Sequence, residues 1–263
     1  MSSSEHDSHC SIDSGEDGIA TLTLTNAGAL NILGTPAIEE LTRNLERLRE
    51  RAGLRVLVLR GTGDKAFVGG ADIKEMAGLA RASAEHFITS LRRLCDAVRH
   101  FPVPVIARMP GWTLGGGLEL ALACDIRIAA DTGRFGMPEI HIGIPSVIHA
   151  ALLPRLIGGA RANWLLLTGE NIDAAQAQSW GLVHRVVPLA ELDVEVARVA
   201  SLLAGFGRQA LRQQKRLLRE WEDRSLDQSI EASVAEFGRA YDTGEPQRYM
   251  GEFIARQRVR KKQ

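Results

Sequence analysis

Between Gly18 and Ala130 the chain alternates short strand-like runs with segments of helical spacing, and this restricts the fold more than any other feature of the sequence. GIATLTLT (18–25) alternates apolar and polar residues as a half-buried strand does. TPAIEELTRNLERLRE then places Ile38, Leu41, Leu45 and Leu48 on one helical face, with Thr35 as the expected N-cap, Pro36 at the first helical position and Glu39 and Glu40 in the first turn. RVLVLR (55–60), the run over 103–109 and DIRIAA (125–130) are further strands, so an α/β core is expected. Beyond Leu152 the pattern is helical except for a short strand near 184–188. These shifts divide the chain into a disordered lead-in (1–17), a core (18–200) and a helical region (201–263).

Composition excludes several classes. The 263 residues carry no formal net charge, so the sequence lacks the global basicity of a dedicated nucleic-acid binder. Zero hides a polarity, however: residues 1–20 hold five acidic and no basic side chains, and residues 253–263 five basic and no acidic ones. Cys10, Cys95 and Cys124 are odd in number and lack metal-like spacing, which fits a reducing, cytoplasmic setting. The longest apolar run, Leu114 to Ala123, is short and broken by Glu119, and the N-terminus has neither a basic nor an apolar leader segment; neither membrane insertion nor secretion is expected. No phosphate-loop, dinucleotide, zinc-protease or nucleophile-elbow motif occurs, and His141 and His149 lack a third metal ligand.

Chemistry concentrates in three segments. In WTLGGGLELALACD (112–125), three glycines stand between a strand and an apolar helical run, where exposed amides at a helix start favour negative charge. The same triplet also suits a tightly packed turn. Glu119 shares its helical face with Leu122, Ala123 and Ile126, so its carboxyl is expected to be partly buried with a raised pKa, as a general acid or base needs; a structural glutamate bonded to backbone donors is the alternative. FGMPEI (135–140) places a second carboxyl, Glu139, on an apolar-flanked loop. KAFVGGADIKEM (65–76) adds a glycine-rich loop entering a helix, where Asp72 is either a helix cap or part of a site.

In this order and spacing the three segments resemble the enoyl-CoA hydratase/isomerase family, the crotonase superfamily, over about Gly18 to Phe253. The resemblance implies a spiral of ββα units in two sheets, with a helical C-terminal region that forms trimers and usually a dimer of trimers. It implies that the backbone N–H groups of Ala71 and Gly116 bind a thioester oxygen as it becomes enolate-like, and that Ala71, Asp72, Ile73 and Lys74 line the coenzyme A site. Glu119 would activate water and Glu139 would supply the α-carbon proton, with no metal or redox cofactor because coenzyme A is part of the substrate. Retention of both glutamates favours a hydratase over an isomerase, a hydrolase or a carbon–carbon lyase.

One segment departs from the family pattern. After Glu139 the sequence reads IHIGIPSVIH, a residue shorter before Pro145 and without the glycines that follow this proline in many hydratases. Ser146 and His149 are therefore candidates for tuning the substrate, or else a helix cap and an outward-pointing side chain. A reading from another class, RNA binding on the same fold, rests on Arg256, Arg258, Arg260, Lys261 and Lys262, and ranks last because no aromatics interleave them.

Overall fold

The computed structural model describes residues 8–260. Its strands and helices are β1 (Cys10–Ser14), β2 (Ile19–Leu24), α1 (Thr35–Arg49), β3 (Val56–Gly61), β4 (Ala66–Val68), α2 (Ile73–Met76), α3 (Arg81–Arg99), β5 (Val105–Met109), β6 (Trp112–Leu114), α4 (Gly116–Ala123), β7 (Ile126–Ala130) and β8 (Arg134–Gly136). There follow α5 (Leu153–Ile157), α6 (Gly159–Thr168), β9 (Ile172–Asp173), α7 (Ala174–Ser179), β10 (Arg185–Val187), α8 (Leu192–Ala204), α9 (Arg208–Asp223), α10 (Leu226–Tyr241) and α11 (Glu245–Arg260). Two short 3-10 turns, Pro138–Ile142 and Ile148–Leu152, lie between β8 and α5.

Six strands form one sheet in the order β1-β2-β3-β5-β7-β10, parallel except at β1, and four form a second in the order β4-β6-β8-β9. The pairs β3/β4, β5/β6 and β7/β8 each send their first strand to the large sheet and their second to the small one. This is the ββα repeat that the resemblance implied. The period of two along the large-sheet strands divides their side chains between two cores. Leu57, Leu59, Val105 and Ala107 face the main core with α1 and α3, while Val56, Val58, Ile106 and Ile128 meet Leu192, Val196 and Val199 of α8. Both faces are covered, which is why these parallel strands read as nearly continuous apolar runs.

Two expectations need correction. Residues 10–14 are not a disordered lead-in but an edge strand, paired antiparallel with β2 from Cys10↔Leu24 to Ser14↔Ala20; residues 1–7 lie outside the described residues. An edge strand requires only its backbone ladder, so CSIDS gives no apolar signal, and the preceding His9 N–H is held by Glu40 Oε2 at 2.9 Å. Thr35 is not the N-cap of α1 but its first residue, following Gly34. Its amide donates to Glu75 Oε2 at 2.9 Å and its hydroxyl to Glu75 Oε1, so the helix start is capped from α2 rather than locally.

Helix α4 is buried along all eight residues, and Arg127 closes its far end by donating to the carbonyls of Cys124 (2.8 Å) and Leu182 (2.7 Å). Asp125, just beyond α4, accepts from Val105 N–H at 2.7 Å, Lys215 Nζ at 2.7 Å and Arg219 Nη2 at 2.7 Å, tying α9 to the core. The division expected at residue 200 falls inside α8, whose Val199 and Ala200 pack on the large sheet. Among the described residues no helix is long and apolar enough to cross a membrane.

Candidate active site

Strand β4 leads through Gly69 and Gly70 to Ala71, and β6 leads through Gly115 into α4. Gly70 at φ +124° and Gly115 at φ +51° occupy backbone regions that side chains oppose. Leu33 pins both flanks of Ala71, donating to Gly70 O at 2.9 Å and accepting from Asp72 N–H at 3.0 Å. Among the described residues the amides of Ala71 and Gly116 have no protein acceptor. They lie close together: a Cβ placed on Gly116 would be 3.8 Å from Ala71 N. Gly117 explains the third glycine, since a Cβ there would sit 2.2 Å from Val68 O. The triplet is thus a tight turn and an amide-exposing helix start at once.

Glu119 lies one turn along α4, 3% exposed, with Oε1 accepting from Ala150 N–H at 3.0 Å. Burial pushes its pKa up to about 8, opposed by the Ala150 amide and aided by the charge of Glu139. Glu139 stands half-buried on the 3-10 turn after β8, and its Oε2 accepts from Ser146 Oγ at 2.8 Å. Burial raises its pKa as well, offset by its own backbone amide and by Ser146. Gly115 leaves room for this carboxyl, because a Cβ there would meet Glu139 Oε1 at 2.5 Å. Both carboxyls open into one cleft of about 630 Å³ that also contains Gly70, Ala71, Gly116 and Ser146 and is walled by Met76, Phe87, Leu91, Ile144 and Val147.

The other predicted residues divide between the cleft and its surroundings. Ile73 lines the cleft, but Asp72 and Lys74 do not: Asp72 Oδ1 caps α2, accepting from Lys74 N–H at 2.8 Å and Glu75 N–H at 3.2 Å. Ser146 is not a helix cap; Val147 precedes the 3-10 turn and no side chain caps it. His149 points away from the cleft, its Nε2 3.4 Å from Asp96 Oδ1 on α3, and burial lowers its pKa. Sequence reasoning missed the Ala150 amide, since nothing in HAALLP marks a donor to a residue thirty-one positions earlier. A second hollow, of about 600 Å³ beside α9, holds none of the candidate residues; its Arg99, Arg216 and Arg219 are already paired with Glu222, Glu236 and Asp125.

A ββα spiral in two sheets, with the free amides of Ala71 and Gly116 and the carboxyls of Glu119 and Glu139 lining one cleft, has the crotonase architecture. The enoyl-CoA hydratase/isomerase profile matches residues 14–261. The crotonyl-CoA hydratase of Syntrophomonas wolfei is 33% identical over 245 residues, covering 93% of this chain and 94% of its own. The short-chain-enoyl-CoA hydratase of Clostridium acetobutylicum is 30% identical over 245 residues, with the same coverage of 93% and 94%. The crystal structure of an enoyl-CoA hydratase from Bacillus anthracis superimposes with a TM-score of 0.84 at 35% identity, covering 88% of this chain and 90% of that one. The chain belongs to the enoyl-CoA hydratase/isomerase family.

Proposed function

We propose that the protein hydrates 2-enoyl-CoA thioesters to 3-hydroxyacyl-CoA. The observation that carries this reading is that Glu119 and Glu139 share one cleft with the unengaged amides of Ala71 and Gly116. The amides hold the thioester oxygen. One carboxylate takes a proton from water as the hydroxide oxygen bonds to the β-carbon, and the double-bond electrons move toward the carbonyl to give an enolate. The other carboxyl delivers its proton to the α-carbon, and the pair again holds one proton. Each amide is worth about 3 kcal/mol of transition-state stabilisation. Coenzyme A enters as part of the substrate, and the chemistry needs no further cofactor.

The electrostatics suit a pair of carboxyls that shares one proton. Glu119 is the more deeply buried, and burial raises both carboxyls, Glu119 to about 8, while Ser146 opposes the rise at Glu139. In hydration the shared proton lets one carboxyl act as base toward water while the other acts as acid toward the α-carbon. Activity follows a bell-shaped pH profile: it falls on the acid side as the pair takes up a second proton, and on the alkaline side as it loses its only one, with Glu119 raised to about 8. A profile of kcat flat across pH 6 to 9, a range set by ordinary general acid–base limits of roughly a unit or two about neutrality, would contradict the shared proton.

The direct test is to mix the protein with short 2-enoyl-CoA thioesters and follow the conjugated-thioester absorbance. Hydration removes it. No loss with any chain length refutes the reading, and a gain of absorbance from a 3-enoyl-CoA with Glu119→Gln fully active would make the protein an isomerase. For assembly we propose a homotrimer or dimer of trimers in the cytoplasm, supported by exposed Leu218, Trp221, Leu226, Ile230, Val234 and Phe237 on α9 and α10. For the basic tail, Lys261 and Lys262 lie outside the described residues, and no structural observation favours RNA binding.

A further inference from the structure

The segment 146–150 donates a hydrogen bond to each of the two carboxyls: Ser146 Oγ to Glu139 Oε2 at 2.8 Å, and Ala150 N–H to Glu119 Oε1 at 3.0 Å. The second donor is backbone and present whatever the side chain. The first exists only because residue 146 carries a hydroxyl. Ser146 makes no other hydrogen bond among the described residues, so this hydroxyl serves Glu139 alone. The contact closes a reversal of the chain at Gly143, φ +78°, and joins Glu139 on one 3-10 turn to the segment that enters the next. Ile148, between the two donors, is held at φ +37°, a conformation that β-branched residues resist; the fold fixes this segment against local preference.

We propose that Ser146 is a positioning residue for Glu139: its hydroxyl engages Oε2 and leaves Oε1 turned to the Gly115 side of the cleft. The inference rests on the hydratase reading for its kinetic consequence, but not for its structural one. A carboxylate pinned at one oxygen presents a single lone-pair direction to water, whereas a free one rotates. A hydroxyl can donate to the charged carboxylate, and this opposes the burial that raises its pKa. The other titratable groups lining the cleft are Glu119 on α4, Glu85 on α3 and His141 on Glu139's own turn. Glu85 is paired with Arg81 at 3.1 Å, and His141 Nε2 is engaged by Thr168 O at 2.9 Å, which leaves Glu119 as the group whose charge couples to Glu139.

The experiment compares wild type with Ser146→Ala, Ser146→Gly and Ser146→Thr, by hydration kinetics across pH and by carbon-13 NMR titration of the glutamate carboxyls, with Glu139→Gln identifying the Glu139 signal. We expect Ser146→Ala and Ser146→Gly to raise the Glu139 midpoint by about one pH unit. The acid limb of kcat should move by the same amount, with kcat down roughly tenfold and KM held within about twofold, and Ser146→Thr should restore both. An unmoved Glu139 midpoint in Ser146→Ala and Ser146→Gly overturns the proposal. So does a loss of activity that Ser146→Thr does not rescue. A wild type without hydratase activity whose Glu139 midpoint still shifts on losing the hydroxyl would refute the hydratase reading and leave the assignment of Ser146 standing.

Discussion

Glu119→Gln lowers kcat for hydration about a thousandfold, with KM nearly unchanged, and Glu139→Gln does the same. Each substitution removes one member of a pair that must hold a single proton, while its amide oxygen preserves the contact made to Ala150 or Ser146. The double variant costs little more than either single one, because the two carboxyls act as a unit. Stability moves the other way for Glu119→Gln. The folded pKa of Glu119 is raised from an ordinary 4.5 to about 8, so the folded state binds more protons than the unfolded chain between those values, and stability declines as pH rises through that window. Glutamine has no charge to bury, and its variant melts above wild type at pH 8 and beyond. Steady-state kinetics and thermal melts on one preparation read both effects, and an active Glu119→Gln enzyme would eliminate the proton-sharing mechanism.

Gly117→Ala destabilises the protein by about 3 kcal/mol, roughly 8 °C in Tm. The new Cβ would meet Val68 O at 2.2 Å and Val68 Cβ at 2.7 Å, and a strand carbonyl cannot swing aside as a side chain does. The displacement also reaches function, because β4 leads directly to Ala71. Gly116→Ala is the internal comparison: its Cβ meets Leu91 Cδ2 at 2.9 Å, the mobile end of a side chain, and the loss should be smaller. Equal melting of Gly117→Ala and wild type would show that α4 does not pack on β4 as described.

Much of this arrangement was legible beforehand. The long strands were visible because burial on one or both faces writes period two or continuous apolarity into the chain, as in IATLTL and VLVLRG. The short strands of the second sheet, β4, β6, β8 and β9, have two or three residues each and are too brief for any periodicity to register. Only their order in the ββα repeat, taken from the resemblance, anticipated a second sheet. The edge strand β1 escaped because backbone pairing, not side-chain burial, holds it. Thr35 has the sequence signature of a cap but is not one, because a carboxylate forty residues away occupies the position that a local side chain normally takes.

Residue identity and order dictate the chemistry available: which carboxyls exist, where glycine permits an amide to be exposed, and that Glu119 lies on an apolar face. Those properties are local, and the chain carries them wherever it folds. Tertiary structure decided which groups meet. It set the amide of Ala71 near Gly116, assigned Ser146 to Glu139 and Ala150 to Glu119, and turned His149 toward Asp96. It also decided that both carboxyls titrate above the ordinary glutamate range, because a pKa depends on depth of burial and on donors brought from distant segments, and no spacing in a sequence encodes either.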